Sequence, residues 1–180
     1  MVGIATVLLL LSTARQSLEL YRFNASTLRR VARGEQLIDS RLATKYRNLQ
    51  LAIPKNAVLL AHMDYPFLFD FGRNRILLED IPGLASPAPG QPFFAGAEAL
   101  ASYLVSNGVG YVAYDYASEA SVPGKGLLAA LANDDRYPVA QAVVRLTFDF
   151  HHSLLELGLT RQRIFDDGTA FAVDLLNRSQ

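Results

Sequence analysis

At 180 residues, 51% of them hydrophobic, the chain can bury a sizeable core without splitting into several globular domains. Its 17 basic and 17 acidic residues cancel, so overall charge makes no case for nucleic acid or an acidic polymer as partner. With no cysteine, disulfides, thiolate metal sites and thiol nucleophiles are excluded.

The chain begins with an apolar run, Val2 to Leu11 (VGIATVLLLL). As a helix, these ten residues would extend about 15 Å, half of a bilayer core of about 30 Å. Three readings stay open for the run. It is the stub of a membrane helix, extended toward Tyr21 with Arg15 and Glu19 at the interface. It is a signal peptide, cleaved among Ser12, Thr13 and Ala14 but lacking a basic leader. Or it is an ordinary buried helix. Leu18, Tyr21, Ala25, Leu28 and Ala32 then recur at alternating spacings of three and four, a helical stripe that Gly34 ends. A second helix carries Ile38, Leu42, Tyr46 and Leu49 and stops before Pro54. Between Arg15 and Arg47, eight basic residues face three acidic ones, a net of +5 that leaves −5 for the remainder. A basic neck suits either anionic lipid head groups or a solvated helix face. Residues 1–50 thus read as an apolar stub and helical neck, and 51–180 as an α/β domain.

Within that domain three short apolar runs each end in aspartate: VLLAHMD to Asp64, ILLED to Asp80 and YVAYD to Asp115. The first predicts a strand over 58–63, the second over 76–79 and the third over 111–116. Tyr65 to Phe71 reads as a short turn or helix. The stretch from Ile81 to Phe94 reads as an ordered, proline-rich loop. Glu98 to Ser106 is an amphipathic helix with Ala99, Leu100, Tyr103 and Leu104 toward the sheet, stopped by Asn107-Gly108. A long helix follows from about Asp135 to Leu157, with Val139, Val143, Leu146, Phe150 and Leu154 on its apolar face and Gly158 as its cap. Asp167-Gly168 then predicts a hairpin between strands at 163–166 and 169–175. The expected fold is α/β, a mostly parallel sheet of about five strands with flanking helices and a C-terminal β-hairpin, preceded by the helical neck.

Five stretches, in order, carry a family resemblance. They are IPKNAVLLA from Ile53, DYPFLFDFGRN from Asp64, DIPGLASPAPGQPFF from Asp80, GAEALASYLVSNGVGYVAYDY from Gly96 and IFDDGTAFAVDL from Ile164. Together they resemble the soluble extracytoplasmic C-terminal domain of multi-spanning membrane glycosyltransferases. These enzymes take sugar from a polyprenyl-phosphate donor, as dolichyl-phosphate-mannose mannosyltransferases do. The resemblance implies an accessory domain on a transmembrane catalytic unit. The family's catalytic acids lie in loops between earlier membrane helices, so none carries over to this chain, and no activity of the chain alone is implied.

Ligands of such sheets bind beyond the carboxyl ends of the strands, where the three acids are expected. Asp64, Asp80 and Asp115 could bind a cation or sugar hydroxyls there, with Tyr65 and Tyr116 as stacking platforms; otherwise the acids cap the following turns. His151-His152 invites a metal reading, but neighbours on a helix point about 100° apart, which favours structural or surface histidines. Asp166-Asp167 is explained by the turn at Gly168, and no glycine pattern matches a dinucleotide or phosphate loop. No cofactor is therefore expected.

Two functional expectations follow. The first is a noncatalytic accessory domain, anchored to the membrane by its N-terminal helix on the extracytoplasmic face. It would dock an acceptor, a lipid-linked sugar or a partner membrane protein such as a glycosyltransferase. The arginines beside the apolar run instead favour a cytoplasmic neck. The second is a free small α/β sugar-binding protein or enzyme that uses the acidic crevice.

Overall fold

The computed structural model describes residues 38–79, 82–83, 86–116 and 138–178, with isolated positions between 21 and 33. The apolar run Val2 to Leu11, most of the neck helix, Asp80 and the start of the long C-terminal helix predicted from Asp135 lie outside the described residues. The chain divides into two compact units, Met1–Thr44 and Lys45–Gln180. No helix among the described residues is long and apolar enough to cross a membrane.

In chain order the elements are α1 (Ser40–Ala52), β1 (Val58–His62), a 3₁₀ turn (Pro66–Leu68), β2 (Arg75–Leu78), α2 (Ala97–Ser106), β3 (Tyr111–Asp115), α3 (Pro138–Thr160), β4 (Arg161–Asp166) and β5 (Ala170–Arg178). The five strands form one sheet in the order β2-β1-β3-β5-β4. β1 pairs in parallel with both β2 and β3, whereas β5 pairs antiparallel with both β3 and β4. The sheet is therefore mixed, not mostly parallel as expected. The cause is the hairpin. The turn at Gly168 (φ 77) reverses the chain, and β5 folds back between β3 and β4 rather than adding β4 directly to β3.

Alternation along the strands divides two apolar layers. Leu60, Val112, Tyr114, Phe171, Val173 and Leu175 join Leu100 and Leu104 of α2 and Phe150, Leu154 and Leu157 of α3 in one buried cluster. Leu59, Ala61 and Ala113, next to them in sequence, are equally buried and point to the opposite face. In the unit that begins at Lys45, the later turns of α1 bury Tyr46 and Leu49 completely, and Tyr46 meets the Phe69 ring edge-on at 5.0 Å. Each buried aliphatic side chain contributes about 1.5–3 kcal/mol, so these layers supply most of the driving force.

The long helix buries Phe150 and Leu154 as expected but departs from its expected face toward its start. Val139 is 77% exposed and Val143 40%, while Val144, Phe150, His151, Leu154, Leu157 and Gly158 are buried. The apolar residues of α3 are too evenly spread for spacing alone to choose one stripe. Gly158 also lies inside α3 rather than capping it. A Cβ there would come within 2.6 Å of the Phe171 ring, so hydrogen is the substituent that lets α3 and β5 approach.

Two loops at the amino ends of β1 and β2 are held by one buried amide network. Asn74 Nδ2 donates to the carbonyls of Pro54 and Ala57, and its Oδ1 accepts from Gln50 Nε2 and Arg73 Nη1. Gln50 in turn accepts from the Asp70 amide and donates to the Asp70 carbonyl. The network fixes the starting points of both strands.

Candidate functional site

The order β2-β1-β3 sends the chain from β1 to its neighbour on one side and then to its neighbour on the other. Side chains at the carboxyl ends of parallel strands around such a reversal commonly meet ligands. Here that edge carries His62 at the end of β1 with Met63 and Asp64 after it, Leu78 at the end of β2 with Glu79 after it, and Tyr114 and Asp115 at the end of β3. A cleft of about 240 Å³ opens there, lined by Ala61, His62, Met63, Asp64, Pro66, Leu78 and Glu79.

His62 joins the cleft to a buried aromatic cluster. It pairs in register with Tyr114, and their rings stack at 5.8 Å with 16° between planes. His151, reaching in from α3, stands edge-on to His62 at 4.6 Å, and its Nδ1 lies 2.9 Å from the Tyr114 hydroxyl. His62 Nδ1 is 2.9 Å from the Glu79 carbonyl. Burial, and secondarily the neighbouring His62, push His151 down from 6.5 to about 4. It is therefore a neutral ring near pH 7. The Glu79 carboxyl is raised by burial, an effect partly opposed by the Gly83 amide that donates to its Oε1 at 3.0 Å.

The anticipated site residues divide. Asp64 is exposed at the mouth of the cleft. Tyr65 beside it is 44% exposed, donates its amide to Tyr46 Oη at 2.8 Å and meets Phe67 edge-on at 6.1 Å. Asp115 is buried on the opposite face of β3 from Tyr114 and forms an ion pair with Lys45 at 3.1 Å. Burial first, then the charges of Asp115 and Asp64, push the Tyr46 hydroxyl up to about 12, so both carboxylates act on one phenol. Tyr116 packs on Phe171 at 5.3 Å and donates to Asp166 at 3.4 Å, tying it to the hairpin. Asp80 lies outside the described residues.

No family model, curated protein or solved structure matches this chain. The chemistry must be read from the geometry. Among the described residues, no group of three or more His, Asp or Glu side chains is placed to hold a metal ion. What the cleft does present is an imidazole and two carboxyl groups. His62, Glu79, Tyr114 and His151 were not anticipated as a group. His62 did leave a signal, as the one strongly polar residue inside the apolar run VLLAHM. The partnership of His151 with Tyr114 left none, since 37 residues separate them.

Proposed function

We propose that the α/β unit is a noncatalytic sugar-docking domain. In this reading, the cleft after β1 and β2 holds one sugar unit of an acceptor or of a lipid-linked donor. The N-terminal segment tethers the unit at the extracytoplasmic membrane face, where it serves a membrane glycosyltransferase. The observation that carries the reading is the cleft itself: about 240 Å³, with His62, Asp64, Pro66 and Glu79 in its wall, while Tyr65 and Phe67, the neighbours of Pro66 in sequence, are exposed. Its volume falls below the roughly 300–1,000 Å³ usual for drug-sized ligands, which suits a single ring better than a dinucleotide. Polar acceptors beside an aromatic face match a sugar's hydroxyl edge and its apolar C–H face. The resemblance of Ile53 to Leu175 to glycosyltransferase accessory domains gives the sugar its context.

Titrating the full-length protein with mono- and disaccharides, followed by NMR, tests the docking. Binding that Asp64→Ala weakens at least about tenfold, or 1.4 kcal/mol, is expected. Absence of any sugar-dependent shift at the cleft residues rejects the reading. Fractionation of the native host tests the tether separately, and an uncleaved chain found in the soluble fraction counts against it.

One observation favours a second reading, a free small enzyme. His62 and Glu79 place an imidazole and a carboxyl of raised affinity for protons in the same cleft, a combination used in general acid–base catalysis. Turnover of a sugar substrate by the isolated chain, lost in His62→Phe, would decide for it.

A further inference from the structure

The sheet ends in β2 on one side and β4 on the other, and the two edges differ in kind. Edge strands present unpaired backbone groups, which proteins guard with bulges and charges. β4 is guarded: its pairing shifts register at Arg161/Gln162 and Arg163/Phe165, and it carries Arg161, Arg163 and Asp166. β2 pairs with β1 without a shift and consists of Arg75, Ile76, Leu77 and Leu78. The direction of its peptide groups follows from what flanks it. The Arg73 carbonyl accepts from the Asn56 amide just ahead of β1, and the Glu79 carbonyl meets His62 Nδ1 at the end of β1. These groups alternate in direction along a strand, so Arg75 and Leu77 also turn theirs toward β1, whereas Ile76 and Leu78 turn N–H and C=O outward. Among the described residues, β2 has no second strand neighbour and no loop backbone bonds those outward groups. Leu78 itself is 45% exposed.

We propose that β2 is a dimerisation edge, pairing antiparallel with β2 of a second copy, Leu77 opposite Leu77, so that two five-stranded sheets become one. The occupant follows from the sequence RILLE (Arg75 to Glu79), which is complementary to itself. About a two-fold axis at Leu77, Ile76 of each copy stands opposite Leu78 of the other, and their outward groups exchange roughly four ladder hydrogen bonds. Arg75 of each copy then stands opposite Glu79 of the other, on the face shared with Leu77, and opposite charges at facing positions stabilise the pair. Other registers lose this match. An axis at Ile76 sets Glu79 opposite Arg73, whose guanidinium is already bonded to the Gln50 carbonyl and Asn74 Oδ1. An axis at Leu78 sets Arg75 opposite Ile81 and Glu79 opposite Leu77. Because Glu79 lines the cleft, each copy also brings an arginine to the cleft wall of the other. The pairing does not depend on what the cleft binds. An edge of four residues falls short of the roughly 1,000 Å² of a stable interface, so the dimer is weak, with a Kd of about 0.1–1 mM.

The test uses the full-length protein, whose lack of cysteine allows disulfide trapping at chosen positions. In the proposed register Leu77→Cys sets two thiols opposite each other in a non-hydrogen-bonded pair, with Cα atoms about 4.5 Å apart, which a disulfide spans. Ile76→Cys or Leu78→Cys sets like thiols on a diagonal of about 7–8 Å, beyond its reach. The expected result under mild oxidation is a covalent dimer from Leu77→Cys and far less from the other two. Sedimentation equilibrium of the wild type should show reversible dimer growing with concentration toward 1 mM, about the expected Kd. Arg75 is exposed, so Arg75→Glu should keep the fold, checked by circular dichroism, while setting like charges opposite each other. It should weaken association, and the yield of the Leu77→Cys crosslink, by about tenfold, and Arg75→Glu with Glu79→Arg should restore both. A wild type that stays monomeric together with no preferential Leu77→Cys crosslink overturns the proposal. So does association that Arg75→Glu leaves unchanged, or that crosslinks better through Ile76→Cys or Leu78→Cys, since another surface or register is then in use. Sugar binding by a strict monomer rejects the dimer and leaves the docking reading standing.

Discussion

The Tyr114 hydroxyl lies 2.9 Å from Nδ1 of His151, joining the carboxyl end of β3 to the middle of α3. The folded protein holds His151 at about 4, against 6.5 for an ordinary imidazole, so the unfolded chain binds the proton more tightly. Stability from this group is full above pH 6.5 and drains away as pH falls toward 4. The shift corresponds to at most about 3 kcal/mol. Urea denaturation of the wild type and of His151→Gln, which cannot titrate there, should give curves that converge between pH 6.5 and 4. Taking the difference removes contributions shared by both proteins, including that of the raised Glu79 carboxyl. Parallel curves through this window would show that His151 does not bear the cost.

Gly158 and Phe171 make a second contact that can be tested by substitution. A methyl at residue 158 would stand 2.6 to 3.0 Å from three atoms of the Phe171 ring. The Arg163 guanidinium also sits over that ring, 5.3 Å from its centroid, which leaves the ring little room to move. Alanine gains about 1 kcal/mol of helix propensity over glycine, but forcing a methyl into a packed contact costs about 1–3 kcal/mol. Gly158→Ala should therefore destabilise by about 1 kcal/mol in the wild type. In a Phe171→Leu background it should be neutral or stabilising. A double-mutant cycle by chemical denaturation measures the coupling, and a coupling near zero would remove the close-approach explanation.

These two contacts mark where the sequence was legible and where it was not. The runs at Val58, Ile76 and Tyr111 and the signals at Asn107-Gly108 and Asp167-Gly168 are local, and each produced the element expected of it within three residues. Sheet order and direction are not local. Nothing in the hairpin says that β5 rather than β4 will meet β3, so the mixed character of the sheet was hidden. The same limit applies to the cleft. That Asp64 would stand at a strand end was legible because an acid after an apolar run is visible in a linear pattern, whereas Tyr65, expected beside it as a stacking platform, is not among the residues that line the cleft. His62, Glu79 and His151 come together only because three separate elements converge, and Gly158 resembled a cap until the ring opposite it was placed.

Lys45 and Asp115 decide whether the third anticipated acid is structural. Their side chains are only 14% and 4% exposed, and the charged atoms lie 3.1 Å apart. A buried pair adds little over well-packed apolar residues, yet removing one partner leaves a charge stranded at a cost of about 3–5 kcal/mol. Lys45→Ala should accordingly lower stability by about 3 kcal/mol, and Lys45→Met with Asp115→Leu should recover most of that loss. Thermal and urea denaturation of both variants at pH 7 give the comparison. If the pair is structural, Lys45→Met/Asp115→Leu should also leave sugar affinity unchanged, since neither residue lines the cleft. A stable Lys45→Ala protein with altered sugar affinity would place Asp115 among the ligand-binding groups and extend the site across β3 to the face that carries Tyr46.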